Sequence, residues 1–216
     1  MVRTRTWFFA AFTIGGLFET IGFICRMINA TETPPLWTKT FYIIQFLLIL
    51  LAPAFFAASI YMGFGRIILL VDGEVHSLVK KKWLTKLFVF GDVLSFVVQA
   101  IGASILAQQN PDTANLGKST ILAGLGIQVM FFGFFLFNIV HFWLRIYKAP
   151  TAYSKDLPWK KHSIALLTAG CLILSRCVYR IIEYIEGKTG ELQSHEVYLY
   201  ILDAGLMLIV MIPFHF

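Results

Sequence analysis

The sequence predicts an all-α fold, a polytopic membrane bundle of six transmembrane helices, on three observations. Its 216 residues are 58% hydrophobic and 14% charged, against roughly 45–50% and about 25% in ordinary soluble domains. The apolar residues fall in blocks about 20 long, the length a helix needs to cross a hydrocarbon core about 30 Å thick. The basic residues collect in short loops between the blocks, far more on one set of alternate loops than on the other, as membrane topology requires. One transmembrane domain over residues 1–216 follows, without fixed-period repeats or low-complexity tracts.

The first block runs from Trp7 to Met27. It carries Glu19, which a signal peptide would not tolerate, and Gly15, Gly16 and Gly22, which let a neighbouring helix approach. The second, Phe41 to Phe64, contains Pro53, expected to kink it. The third runs from Trp83 to Leu106 and includes Gly102. The fourth, Thr120 to Leu144, includes Gly124, Gly126 and the run Phe131 to Phe135, read as lipid-facing or core filler. The fifth is Ser163 to Tyr184, and the sixth is Val197 to Phe214 with Pro213 near its end. Cys25, Cys171 and Cys177 all fall inside blocks and lack metal-ligand spacing, so they read as small buried packing residues.

One set of loops holds Arg3, Arg5, Arg66, Lys80, Lys81, Lys82, Lys86, Arg145, Lys148, Lys155, Lys160 and Lys161. The other holds Arg26, Lys39, Lys118, Arg180 and Lys188. Positive residues mark the cytoplasmic side, which puts both ends of this chain in the cytoplasm. The net charge of +6 therefore reads as topology. Without a basic stripe interleaved with aromatics, it does not read as a nucleic-acid surface. Asn29-Ala30-Thr31 forms a glycosylation sequon on the outer side, very close to the membrane.

Ionisable groups inside hydrocarbon cost several kcal/mol unless paired or hydrated, so they face the bundle interior or a cavity. Glu19 and Arg26 share a helix face. Asp92, Ser95 and Gln99 form one stripe, at i, i+3 and i+7. The fourth block carries Gln128, Asn138 and His141. The fifth carries Arg176, Tyr179, Arg180 and Glu183, and the sixth carries Glu196, Tyr200 and Asp203. Most of these fall in the middle or outer half of the bilayer, and only Asp92, Asn138 and His141 fall toward the cytoplasm. An outward-facing polar cavity with a thinner polar path beneath it is expected. Glu19, Asp92, Glu183, Glu196 and Asp203 outnumber Arg26, Arg176 and Arg180, a deficit that a cationic head group fills. The competing reading is that these groups only staple the helices together.

Segments of the chain resemble the fungal RTA-like, or lipid-translocating exporter, family. They are Glu19 to Arg26, Leu51 to Arg66, Gly91 to Gln99, Arg176 to Glu183, and the steps Ser194-His195-Glu196 and Tyr200 to Asp203. Phe23 stands where the family commonly has Tyr. The resemblance implies a seven-helix protein of the fungal plasma membrane. It also implies links to the release of sphingoid long-chain bases, to resistance to toxic amphiphiles such as aminocholesterol, and to porphyrin uptake. Against that pattern Glu19 belongs to the second span, so this chain is expected to lack the first, along with the tail after the last.

The leading expectation is an exporter of amphipathic molecules with sphingoid bases favoured, its partners being membrane lipids and amphipathic small molecules. The substrate-facing residues are Glu19, Arg26, Asp92, Gln99, Gln128, Arg176, Arg180, Glu183, Glu196 and Asp203. No cofactor is expected, and the absence of a Walker motif argues against direct ATP use. The alternatives are an intramembrane lipid-modifying enzyme and a lipid receptor or sensor. For the enzyme, His141, His195, His215, Asp92 and Asp203 are suitable residue types, but they lack zinc-site spacing.

Overall fold

Long apolar runs give long helices. The structure, a computed structural model, describes residues 7–31, 39–73, 81–108, 111–148, 159–186, 203 and 205–211. Its helices are α1 (Trp7–Thr31), α2 (Lys39–Leu70), α3 (Lys81–Ala107), α4 (Pro111–Lys148), α5 (Trp159–Glu186) and the short α6 (Leu206–Met211). Among the described residues there is no strand. The first five are long and apolar enough to cross a membrane, and the chain is an integral membrane protein.

The helices run past the expected spans, α4 most of all. Helix α4 starts at Pro111 rather than near Thr120, because proline suits a first helical position, where its missing N–H is not needed. Of the sixth block, only Asp203 and residues 205–211 lie within the described residues. Asn29, Ala30 and Thr31 are the last residues of α1. Helix α2 ends in a Schellman motif. Gly73 N–H donates to Ile68 O at 2.9 Å and Asp72 N–H to Leu69 O at 3.1 Å, with Asp72 left-handed at φ 49°.

Helix α2 has no polar face, so it can be surrounded, and α1, α3 and α5 pack around it. Helix α4 lies between α3 and α5 and reaches α2 through its aromatic side chains, Tyr61 meeting Phe132 and Phe135. Helix α6 rests on α5, and Met211 meets α1 at Gly16. Neighbours run antiparallel. Gly15 faces Ala52 and Gly22 faces Ile49, while on the α3–α4 seam Gly91 faces Phe131 and Gly102 faces Ile121. At Gly124 a Cβ would come within 2.5 Å of Gln99 Cγ, so only glycine permits this crossing. Gly126, expected to do the same, has nothing within 4 Å and faces outward.

The burial pattern is that of a protein solvated by lipid. Leu17, Ile24, Phe90, Met130 and Phe137 are exposed, while Glu19, Asp92, Gln99, Arg176, Glu183 and Asp203 are buried. The phenylalanine run divides: Phe132 and Phe135 lie in the core and Phe134 is exposed. Cys25 and Cys177 are buried, but Cys171 is exposed because its helical position turns it away from the bundle. Lys118 donates to Ile185 O at 3.0 Å, capping the last turn of α5 with a cation.

Candidate functional site

Helix α5 supplies the densest polar stripe. Arg176 is buried, ion-paired with Asp203, and its Nη2 donates to Ile49 O at 3.0 Å. That carbonyl is available for a reason legible in the chain. Within α2 it would accept the N–H four residues on, but that residue is Pro53, which has no N–H. Pro53 therefore frees an acceptor in the middle of the bundle, and α5 supplies its donor.

One turn along α5, Arg180 Nη1 donates to Glu183 Oε2 at 2.9 Å, and its guanidinium lies 5.8 Å from the Tyr184 ring centre. Asp203 and Gly205 adopt the wider π-type winding just ahead of α6, a geometry frequent at functional sites. From α1, Glu19 comes into the electrostatic range of Arg176 and Asp203. It is 7% exposed, and neither of its oxygens has a hydrogen bond among the described residues.

The α3–α4 seam supplies a second set. Gln99 Nε2 donates to Gln128 Oε1 at 3.1 Å, a contact that Gly124 makes room for. Seven residues back on α3, Asp92 Oδ2 accepts the Tyr61 hydroxyl at 2.9 Å, and Ser95 donates to the Asp92 carbonyl at 2.8 Å. Phe88, Phe132 and Phe135 surround the Tyr61 ring at 4.4 to 6.0 Å between centres. Cys177 of α5 joins the two sets, lying within electrostatic range of Asp92, Arg176, Arg180 and Asp203.

Gln99, Gln128, Arg176, Arg180 and Tyr184 line a cleft completed by Leu50, Ile121, Leu125 and Cys177. It has room for about one water molecule. Glycines draw α3 and α4 together beside it, Gly124 against Gln99 and Gly102 against Ile121. Of the stripe residues that are described, the acids Glu19, Asp92, Glu183 and Asp203 still outnumber Arg26, Arg176 and Arg180.

The structure thus brings Glu19, Arg176, Arg180, Glu183 and Asp203 together, and joins Asp92, Gln99 and Gln128 to them through the seam. Arg26 is half-buried and in range of Tyr179, at the edge of the group. Glu196 lies outside the described residues, as do Tyr200, His195 and His215. Sequence reasoning missed Tyr61, which reads as one more aromatic, and buried Gln45, whose Oε1 is unbonded. It also missed the link from Pro53 to Arg176. Among the described residues no three of His, Cys, Asp and Glu gather as a metal site would need.

The family described as RTA1 like protein matches residues 12–216. This chain belongs to the RTA1-like family. Among its relatives in Saccharomyces cerevisiae, Protein RTA1 is 39% identical over 204 residues, 94% of this chain and 63% of that protein. Protoporphyrin uptake protein 1 is 37% identical over 208 residues, 95% of this chain and 67% of its own length. Sphingoid long-chain base transporter RSB1 is 27% identical over 244 aligned positions, covering 97% of this chain and 63% of that protein. This RTA1-like chain therefore spans about two thirds of each relative. No solved structure matches it.

Proposed function

We propose that this chain translocates amphipathic molecules, with sphingoid long-chain bases the favoured substrate, and so protects a cell against toxic amphiphiles. The observation that carries the reading is Glu19, a buried carboxylate with both oxygens unbonded among the described residues, beside the Arg176–Asp203 pair. A carboxylate without hydrogen bonds in a membrane interior costs several kcal/mol. A primary ammonium brings the missing charge and three hydrogen-bond donors. Arg176 and Arg180 hold Asp203 and Glu183 in place and leave Glu19 as the free acid. The hydrocarbon tail of such a molecule needs no dedicated pocket, because the outer faces of the helices are already apolar and exposed.

The names of two relatives support the class, since one is called a transporter of a sphingoid base and the other a protoporphyrin uptake protein. We take the membrane to be the plasma membrane, and the basic loops favour both ends of this chain being cytoplasmic. The substrate crosses chemically unchanged, as a single transmembrane unit with the polar set along its interior carries it.

Purified chain in vesicles, supplied with a fluorescent sphingoid base, is expected to raise the rate at which the lipid changes leaflet. The recovered lipid should have unaltered mass. Equal rates with and without protein would remove the translocator reading, and a mass change would replace it with the enzyme.

A further inference from the structure

Asp92 differs from the other buried acids. Asp203 and Glu183 each hold an arginine, and Glu19 lies in the field of one. Among the described residues no arginine or lysine is ion-paired with Asp92. It is 3% exposed, its Oδ2 accepts the Tyr61 hydroxyl, and its Oδ1 has no hydrogen bond among the described residues. The titratable groups that face it are Tyr61 from α2 and Cys177 from α5, with Arg176, Arg180 and Asp203 around that cysteine. Helix α4 brings Phe131 and Phe132 to this level, and on α3 Lys86 is exposed.

Uncharged polar groups lie on either side of Asp92 along the α3–α4 seam. Gln99 stands two turns farther on α3, about 10.5 Å by helix rise, and its Oε1 is unbonded. In the other direction, Phe131 lies opposite Gly91. The antiparallel crossing therefore puts Asn138, seven residues along α4, about 10.5 Å away on the opposite side of Asp92. Asn138 is 1% exposed, and neither its Oδ1 nor its Nδ2 has a hydrogen-bond partner among the described residues. A buried amide with all its hydrogen-bonding capacity unused, among the core phenylalanines, is where an ordered water is expected. One acid thus sits between two polar stations that lead toward opposite faces of the membrane.

We propose that Asp92 is a proton-carrying site that drives amphiphile movement by proton exchange. Water in the cleft that Gln99 and Gln128 line relays the proton toward the Arg176 cluster, and water held by Asn138 relays it toward the other face. As one cationic head group occupies the acidic cluster, one proton leaves the Asp92 carboxyl for water. The carboxylate is reloaded from water on the opposite side, so charge exchanges one for one and no other bond changes. Proton and head group exclude each other because the Asp92 carboxylate attracts a cation through a poorly screening interior and its neutral, protonated form does not. This names the energy source of the proposed translocation and rests on that reading.

Two measurements test it. The first uses the whole chain in vesicles with the membrane potential clamped and a fluorescent alkyltrimethylammonium probe, which has no proton to lose. A pH gradient of one unit is expected to concentrate the probe about tenfold at one-for-one exchange, and Asp92→Asn to equilibrate it without concentrating it. Probe movement indifferent to the gradient overturns the coupling and leaves the translocator standing. The second is infrared difference spectroscopy of the purified chain between acid and alkaline buffers. A protonated-carboxyl band should vanish in Asp92→Asn, persist in Asp203→Asn, and shift in Asp92→Glu, which keeps the acid even where the asparagine variant does not fold. A band indifferent to both changes at position 92 overturns the proton site, whether or not any probe moves.

Discussion

Glu19 and Asp92 are both buried acids, yet they ask for different substitutions. At Glu19 no oxygen is hydrogen-bonded among the described residues, so Glu19→Gln removes a charge without breaking a contact. The expected result is unchanged or raised thermal stability in detergent, together with about tenfold weaker binding of a cationic amphiphile, the loss of one charge-assisted bond. Truncating a bonded partner behaves differently. Tyr61→Phe takes the donor from Asp92 Oδ2 and leaves the carboxyl with no hydrogen bond at all. It is expected to lower unfolding stability by about 1–3 kcal/mol, read from the same melts. The burial of Glu19 was legible because an ionisable group in an apolar span must turn toward the bundle interior. Tyr61 was not, since a tyrosine among phenylalanines differs from them by one oxygen and its partner is 31 residues away.

At the scale of helices, α2 shows why a backbone device escapes sequence reading. Pro53 was legible as an interruption, but its consequence is a free carbonyl on Ile49, and a carbonyl has no letter of its own. Pro53→Ala restores the N–H that Ile49 O lacks and sets it in competition with Arg176 Nη2. The melting temperature should hold or rise, since alanine is the better helix former by about 3 kcal/mol. Amphiphile flux should fall as Arg176 loses the contact that orients it. The α3–α4 seam gives a paired prediction. Gly124→Ala drives a Cβ to 2.5 Å from Gln99 Cγ and 3.0 Å from Ser95 O, and is expected to cost about 1–3 kcal/mol by overpacking. Gly126→Ala meets nothing within 4 Å and should stabilise by about 1 kcal/mol through helix propensity. The sequence showed two glycines suited to close approach. Only the register of α3 against α4 tells which one is used.

For the whole molecule, the question is whether the charged set is a staple or a working part, and the two roles predict opposite results from one series of variants. Asp203→Leu alone strands Arg176 in the interior and is expected to cost about 3–5 kcal/mol. Adding Arg176→Met removes the stranded charge, and an apolar pair of similar volume packs as well as the ion pair did or better. That double variant leaves Ile49 O without its donor from α5, and Pro53→Ala then supplies one from within α2. The triple variant should therefore melt at or above the temperature of the unaltered chain. If the ion pair only held helices together, the triple variant would also move amphiphiles at the original rate. If Arg176 and Asp203 shape the acidic cluster that Glu19 completes, its flux should fall to that of empty vesicles while its fold stands. A stable bundle that no longer transports would locate the function in the buried charges rather than in the shape they support.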